Sequence, residues 1–280
     1  MRFLINIFKS KQPRIYWYLY WYLVQLNFLK RFSFCPDLLL SSIIKKGDTV
    51  IDIGANVGQL TFHMAYLVGE NGSVHAFEPY SKSFDKLRDI IKYANLSSII
   101  KLNNLGLSNE TRVATLTIPI EKCTEATLMP HKADTWIDYE SEQSHYITEE
   151  CKLITLDNYI NENAINDISF IKCDVEGAEL HVLLGAENLL KGSMPPIIMI
   201  EIYEEWTKSF GYSPADLFSF LEKTAGYEFY WLHEKGLKKI ESDYSSLPGM
   251  YWQWLDYLCI VPDVHNSRFD VGHFLKSIKK

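Results

Sequence analysis

The chain has 280 residues, of which 47% are hydrophobic, and its formal net charge is −7. This length and apolar content fit one large α/β domain with additions and argue against two full domains. The acidic balance argues against a general nucleic-acid binder, because such proteins normally carry a basic surface.

The first 45 residues are predicted to form an aromatic and basic helical extension. Residues 15–29 are rich in tyrosine, tryptophan and leucine, and lysines and arginines flank them on both sides. Gln25 and Asn27 interrupt this run, which is also shorter than the roughly 20 apolar residues that a membrane span needs. Two interpretations stay open. The helix packs on the domain or on a second copy of the chain, as in a homodimer, or it lies on a membrane surface.

Residues 46–265 are predicted to form the main domain, which begins with a strand, a glycine turn and a helix. The run 50–53 is typical of a buried strand, and residues 59–67 follow as a helix. Gly54 and Gly58 let the backbone turn tightly and let a ligand approach, and Asn56 tolerates left-handed geometry. Together with the N–H groups at the start of the helix, they predict a cofactor-binding turn.

Two carboxylates indicate which cofactor this turn binds. Glu78 ends the next predicted strand, where it can accept hydrogen bonds from both hydroxyls of a ribose. Asp52 stands at the carboxyl end of the first strand, where its charge disfavours a pyrophosphate and favours a sulfonium. The glycine spacing also differs from Gly-x-Gly-x-x-Gly. The pattern favours S-adenosylmethionine over NAD, and an NAD-linked oxidoreductase stays as the less favoured alternative.

The remaining elements alternate strands with helices, which is typical of a parallel, doubly wound α/β sheet with its ligand crevice at the carboxyl ends of the strands. Residues 120–150 interrupt this alternation and are predicted to form an inserted lid-like segment, with a solvated excursion as the alternative. Residues 266–280 are predicted to be a C-terminal tail. The predicted strands are 50–53, 74–77, 99–102, 114–118, 168–173, 197–202, 228–232 and 257–261.

Three further carboxylates are candidates for the chemistry. Asp174 and Glu176 follow the strand 168–173, where an acceptor group would lose its proton, and Glu201 ends another strand at the same edge. A structural role is the alternative for Glu176, because it stands near a helix start, where negative charge is favoured. The three groups could also hold Mg²⁺, but no spacing singles out a metal site, and none is predicted.

The five cysteines are scattered, odd in number and without a C-x-x-C pair. This pattern is typical of a reduced interior. We therefore expect a cytoplasmic protein, associated with a membrane surface if the amino-terminal helix contacts lipid.

Three motifs in combination resemble the FkbM-type S-adenosylmethionine-dependent methyltransferases. The resemblance covers roughly residues 48–203. It implies a Rossmann-like, mostly parallel sheet of seven strands, as in class I methyltransferases, in which 257–261 is the antiparallel strand. The motifs are DIGANVG from Asp52 to Gly58, FEP from Phe77 to Pro79 and FIKCDVEGAEL from Phe170 to Leu180.

The resemblance also implies a function. S-adenosylmethionine would donate a methyl group and leave as S-adenosylhomocysteine, with Asn104 or Leu105 beside the adenine ring. The acceptor would be a hydroxyl group of a glycan or of a small natural product. The alternative is a noncatalytic, S-adenosylmethionine-binding partner of a membrane glycan-assembly system, which the aromatic amino terminus suggests.

Overall fold

The computed structural model describes residues 36–120, 126–129, 146–233, 236–241, 244 and 256–278. The aromatic run 15–29 lies outside these residues, and so do 121–125 and 130–145 of the expected lid-like segment. Among the described residues, no helix has both the length and the apolar composition that crossing a membrane requires.

The described residues form eleven strands in two sheets. The strands are β1 (Thr49–Ile53), β2 (Ser73–Phe77), β3 (Ile100–Asn103), β4 (Gly106–Leu107), β5 (Arg112–Pro119), β6 (Tyr146–Ile154), β7 (Ile168–Cys173), β8 (Ile197–Glu201), β9 (Glu228–His233), β10 (Gly236–Lys239) and β11 (Asp256–Ile260). The central sheet has the order β10-β9-β11-β8-β7-β1-β2-β3, and the second sheet has the order β4-β6-β5.

The central sheet is mostly parallel, as predicted. Strands β3, β2, β1, β7 and β8 run parallel to one another. Strand β11 runs antiparallel to both β8 and β9, which confirms the antiparallel strand expected at 257–261. The sheet has one strand more than the expected seven, because β10 adds to its edge by pairing with β9.

The two faces of the central sheet enter two separate apolar cores. Along β7, Phe170 belongs to one core, whereas Ile171 and Cys173 belong to the other. Successive side chains of a strand point to opposite faces of the sheet. A strand that is covered on both faces is therefore mostly apolar. The core that contains Phe170 also includes side chains from the helices Pro36–Ile43, Gln59–Val68, Ser81–Tyr93 and Val271–Ile278. The core that contains Ile171 also includes side chains from the helices Leu156–Glu162, Glu179–Leu184, Glu187–Leu190 and Pro214–Ala225. Two further short helices follow strands directly: Glu204–Ser209 follows β8, and Pro262–His265 follows β11.

The domain extends beyond the predicted limits of 46 and 265 at both ends. Leu39 and Leu40 are fully buried in the core, although residues 1–45 were expected to be an extension. Phe269 and Phe274, from the expected tail 266–280, pack in the same core. These apolar side chains cover a face of the sheet that would otherwise meet water, so the described parts of these segments, 36–45 and 266–278, pack as part of the domain.

The second sheet contains two segments that the sequence assigned elsewhere. The predicted strand 114–118 lies in β5, which pairs along its whole length with β6 rather than with the central sheet. The last five residues of the expected lid-like segment, 146–150, are the first half of β6. The function of that segment as a lid stays a prediction.

Candidate active site

The glycine turn after β1 joins the ends of three neighbouring strands. Gly54 has a φ of 82°, Asn56 of 49° and Gly58 of 89°, so all three adopt the left-handed conformation that the sequence predicted. A Cβ atom on Gly54 would lie 1.7 Å from the carbonyl oxygen of Asp174, in the loop after β7. Only glycine permits this contact between the turn and that loop.

Glu78 lies at the end of β2 and is held by backbone groups. Its Oε2 accepts a hydrogen bond from the N–H of Asn56 at 2.7 Å, and its Oε1 accepts one from the N–H of Tyr80 at 2.8 Å. The side chain is buried, and this burial raises its pKa to about 7 despite the two hydrogen bonds. Each carboxylate oxygen retains a second lone pair that can accept a hydrogen bond from a ligand.

Two adjoining cavities open at this edge of the sheet. The glycine-turn cavity contains Glu78 and apolar side chains from the second sheet, such as Leu116 and Leu153. The carboxylate cavity is lined by Asp52, Lys172, Asp174, Glu176, Glu201 and Asp256, among others. Gly54, Asn56, Asp174 and Glu176 line both cavities, which are therefore neighbours.

Most of the predicted site residues line these cavities, but two lie outside both. Leu105 lines the glycine-turn cavity, whereas Asn104 does not. The side-chain amide of Asn104 instead donates to the carbonyl oxygens of Glu78 and Pro79, at 2.9 and 3.1 Å. This amide supports the backbone at Glu78, and a contact of Asn104 with the adenine ring stays a prediction. Gly58 also lies outside both cavities, where a Cβ would meet the side chains of Phe62 and Leu87 from two different helices.

Lys172 occupies the centre of the carboxylate cavity and was not predicted from the sequence. Its side chain is 3% exposed, and its Nζ lies 2.9 Å from Oδ1 of Asp256 and 3.6 Å from Oδ2 of Asp174. Burial opposes the charge of Lys172, but the carboxylates of Asp256, Asp174 and Glu201 outweigh it and raise its pKa well above the ordinary value. The lysine within the otherwise mostly apolar strand β7 could have predicted that Lys172 belongs to the site, because a buried charge needs a partner.

The carboxylates of this cavity differ in their proton affinity. The nearby carboxylate of Asp174, followed by burial, raises the pKa of Glu201 to about 9. Burial raises the pKa of Asp52 to about 6, although the Thr61 hydroxyl donates to its Oδ2 at 2.5 Å. Both groups therefore hold a proton more readily than an ordinary carboxyl group does.

The side chain of Glu179 forms hydrogen bonds with the backbone of the loop after β7. Its Oε1 accepts hydrogen bonds from the N–H groups of Val175 and Gly177, at 3.2 and 3.0 Å. The hydroxyl of Tyr212 lies 3.1 Å from Oε2 of Glu179 and 2.8 Å from the carbonyl oxygen of Gly177. Glu179 is buried and lines neither cavity, so its part in the motif is structural.

In the part of the chain that the structure describes, no group of three or more histidine, cysteine, aspartate or glutamate side chains is arranged to hold a metal ion. The three cysteines in that part, Cys151, Cys173 and Cys259, are all buried.

The strand order, the glycine turn after β1 and the acidic residue after β2 define the fold of a class I methyltransferase. The sequence matches the methyltransferase FkbM domain over residues 52–229. The chain therefore belongs to the FkbM methyltransferase family.

Solved structures of similar fold share little sequence with this chain. The methyltransferase FkbM from Methylobacillus flagellatus KT is 16% identical with a TM-score of 0.48, over 79% of this chain and 48% of that one. This chain thus spans about half the length of that relative. A SAM dependent methyltransferase from Aquifex aeolicus is 15% identical, with a TM-score of 0.43 over 84% and 93% of the two chains. A SAM-dependent O-methyltransferase from Thermotoga maritima is 12% identical, with a TM-score of 0.42 over 85% and 71%. A comparison with curated proteins gives no match.

Proposed function

We propose that this FkbM-family methyltransferase transfers the methyl group of S-adenosylmethionine to a hydroxyl group of a glycan or a small natural product. Family membership supports methyl transfer, and the oxygen atom and the acceptor class are further parts of our proposal. One observation carries it: the glycine-turn cavity adjoins a cavity lined by carboxylates, and the two share Asp174 and Glu176.

The residues of the glycine-turn cavity fit an adenosine. Glu78 can accept hydrogen bonds from the two ribose hydroxyls without losing its bonds to backbone N–H groups. Leu105, Leu116 and Leu153 supply apolar surface for a flat base. S-adenosylmethionine supplies an electrophilic methyl group on a cationic sulfur, and the negative charge of the neighbouring cavity suits that cation.

Asp174 is the best candidate for the group that removes the proton of the acceptor. The Nζ of Lys172 lies 3.6 Å from Oδ2 of Asp174, so the two groups form an ion pair at the edge of the cavity. The nearby carboxylate of Asp174 and burial raise the pKa of Glu201, so Glu201 is suited to donate a hydrogen bond within the cavity rather than to compete as a base. A hydroxyl group must lose its proton when it becomes an ether, and a positioned carboxylate performs that task. These features favour a catalytic protein over a noncatalytic binding partner.

We also propose a cytoplasmic location and a carbohydrate or natural-product acceptor rather than a nucleic acid. The net charge of −7 and the unpaired spacing of the cysteines support this. We infer that residues 15–29 contact either a membrane surface or a second copy of the chain, because aromatic rings with basic flanks suit both.

The first experiment measures cofactor binding and then methyl transfer. Calorimetry should give micromolar binding of S-adenosylhomocysteine and no comparable binding of NADH. Labelled S-adenosylmethionine is then offered with a panel of neutral sugars, glycans and hydroxylated natural products. Folded protein that does not bind S-adenosylhomocysteine would contradict the proposed cofactor site.

Asp174→Asn tests the assigned base with the acceptor found in that screen. We expect turnover to fall by about 100-fold, as is typical when a general base is removed. The dissociation constant of S-adenosylhomocysteine should change by less than about threefold. Asp85→Asn, at an exposed position on the helix Ser81–Tyr93, is the matched control and should leave both values unchanged. Equal turnover in Asp174→Asn and the unmodified chain would remove Asp174 from this role.

A further inference from the structure

Residues 126–129 form a short described part of the segment expected to be lid-like. Thr127 is 1% exposed and forms an isolated β-bridge with Thr117 of β5. Two backbone hydrogen bonds, of 2.8 and 3.0 Å, join Thr117 and Thr127. The second sheet therefore fixes the position of Thr127.

The side chain of Thr127 reaches across to the loop after β7. Its hydroxyl donates a hydrogen bond to the carbonyl oxygen of Glu176 at 2.9 Å. Ala126, Thr127 and Leu128 line the glycine-turn cavity, and Asp174 and Glu176 line it as well. This bond thus links two parts of the wall of one cavity that come from different sheets.

The bond acts on a peptide unit with an uncommon backbone conformation. Glu176 has a φ of 56°, in the left-handed region that residues other than glycine rarely adopt. The carbonyl of Glu176 and the N–H of Gly177 belong to the same planar peptide. Thr127 holds the oxygen at one end, and Oε1 of Glu179 accepts from the N–H at the other end at 3.0 Å. The orientation of this peptide is fixed from both sides.

We propose that Thr127 is a positioning residue of the methyltransferase site. Its hydroxyl fixes the peptide between Glu176 and Gly177, and through it the placement of Asp174 and Glu176 between the two cavities. The inference rests on the proposed function, because it assigns S-adenosylmethionine to the glycine-turn cavity. Residues 126–128 thus form part of the wall of the cofactor site.

Calorimetric titration with S-adenosylhomocysteine tests this role. Thr127→Val removes the hydroxyl and preserves the shape, so we expect about tenfold weaker binding, because the peptide between Glu176 and Gly177 in the cavity wall is then no longer held at its carbonyl end. Thr127→Ser restores the donor and should bind within about threefold of the unmodified chain. If valine prevents folding, Thr127→Ala provides the same comparison.

Thr207→Val is the matched control. Thr207 is fully buried, and its hydroxyl donates to the carbonyl oxygen of Glu204 at 3.0 Å, but it lines neither cavity. This variant loses the same kind of bond, so it should lose comparable stability without any change in affinity. A second readout is the ratio of affinities for cationic S-adenosylmethionine and neutral S-adenosylhomocysteine, which depends on where Asp174 and Glu176 lie. We expect this ratio to fall in Thr127→Val alone.

The outcomes separate the two proposals. Failure of the unmodified chain to bind S-adenosylhomocysteine would contradict the proposed function. Normal binding by the unmodified chain and equal binding by Thr127→Val would overturn only the role of Thr127. Equal weakening in Thr127→Ser, or in Thr207→Val, would also overturn it, because the loss would then not depend on this hydroxyl.

Discussion

At the scale of single residues, the candidate site depends on carboxyl groups whose proton affinities differ. Burial raises the pKa of Glu78 to about 7 and that of Asp52 to about 6. The carboxylate of Asp174 and burial raise the pKa of Glu201 to about 9. Protonation of some of these groups reduces the repulsion among carboxylates that lie close together, and Lys172 stabilises those that stay ionised.

The titration of Glu78 predicts how cofactor affinity depends on pH. In the free chain this carboxyl has a pKa of about 7, whereas hydrogen bonds from ribose hydroxyls would favour its ionised form. Binding below that pH must therefore release a proton. We expect S-adenosylhomocysteine to bind about tenfold more weakly at pH 6 than at pH 8, measured by calorimetry.

Glu78→Gln isolates this effect from other groups that titrate nearby, such as Asp52. The variant keeps the size of the side chain and cannot ionise. We expect weaker binding at pH 8 and little change in affinity from pH 6 to pH 8. The same tenfold pH dependence in the variant would show that Glu78 is not the group responsible.

The sequence predicted the site residues that stand directly after strands. Gly54, Glu78 and Asp174 were found because the carboxyl ends of parallel strands meet at one edge of a sheet. Asp256 could not be found, since it pairs with Lys172 across 84 positions of the chain. Thr127 could not be found either, because its role depends on a bridge to β5 that no local pattern indicates.

At the scale of elements, the site depends on the contact between the glycine turn after β1 and the loop after β7. Gly54→Ala would place a Cβ against the backbone of Asp174, and alanine also disfavours the φ of 82°. We expect the free energy of unfolding in urea to fall by about 3 kcal/mol or more, from strain and overpacking together. Binding of S-adenosylhomocysteine should be lost.

Gly211→Ala is the matched control for this variant. Gly211 has a φ of 80°, and a Cβ there would meet no other atom within 4 Å. We expect a loss of about 1 kcal/mol from backbone strain alone, with cofactor affinity unchanged. Equal stability and equal affinity in the two variants would mean that the contact between Gly54 and Asp174 has no special importance.

The central sheet was predictable, and the second sheet was not. Strands such as β7 and β8 are buried on both faces, so their sequences are mostly apolar and are bounded by turns. Strand β6 instead has the sequence YITEECKLI, in which exposed charged residues dilute the apolar pattern. Its partner β5 lies on the far side of a long intervening segment, so the pairing had no local signal.

At the scale of the whole molecule, the two ends of the described fold are joined. Arg268 forms hydrogen bonds of 2.5 and 3.1 Å with the carboxylate of Asp48, which directly precedes β1. Phe269 and Phe274 pack with Leu39 and Leu40 in one core. The segment after residue 265 thus completes the face of the sheet on which the amino-terminal part of the domain lies.

Phe274→Ala tests whether this segment contributes to folding. Phe274 is 6% exposed, so we expect the free energy of unfolding to fall by about 3 kcal/mol. His273→Ala, at an exposed position of the same helix, should change it by less than about 0.5 kcal/mol. Urea denaturation measures both. A negligible effect of Phe274→Ala would support the original interpretation of residues 266–280 as a tail.

The hydroxyl of Tyr212 has one proton but two acceptors within reach, Gly177 and Glu179. Burial raises the pKa of Glu179 to about 7, so below that pH its carboxyl can act as a donor. The protonated acid then donates to Tyr212, and Tyr212 donates to the carbonyl of Gly177. Above that pH the ionised acid competes for the tyrosine proton. The direction of this hydrogen-bond chain next to the loop after β7 is therefore set by a single proton.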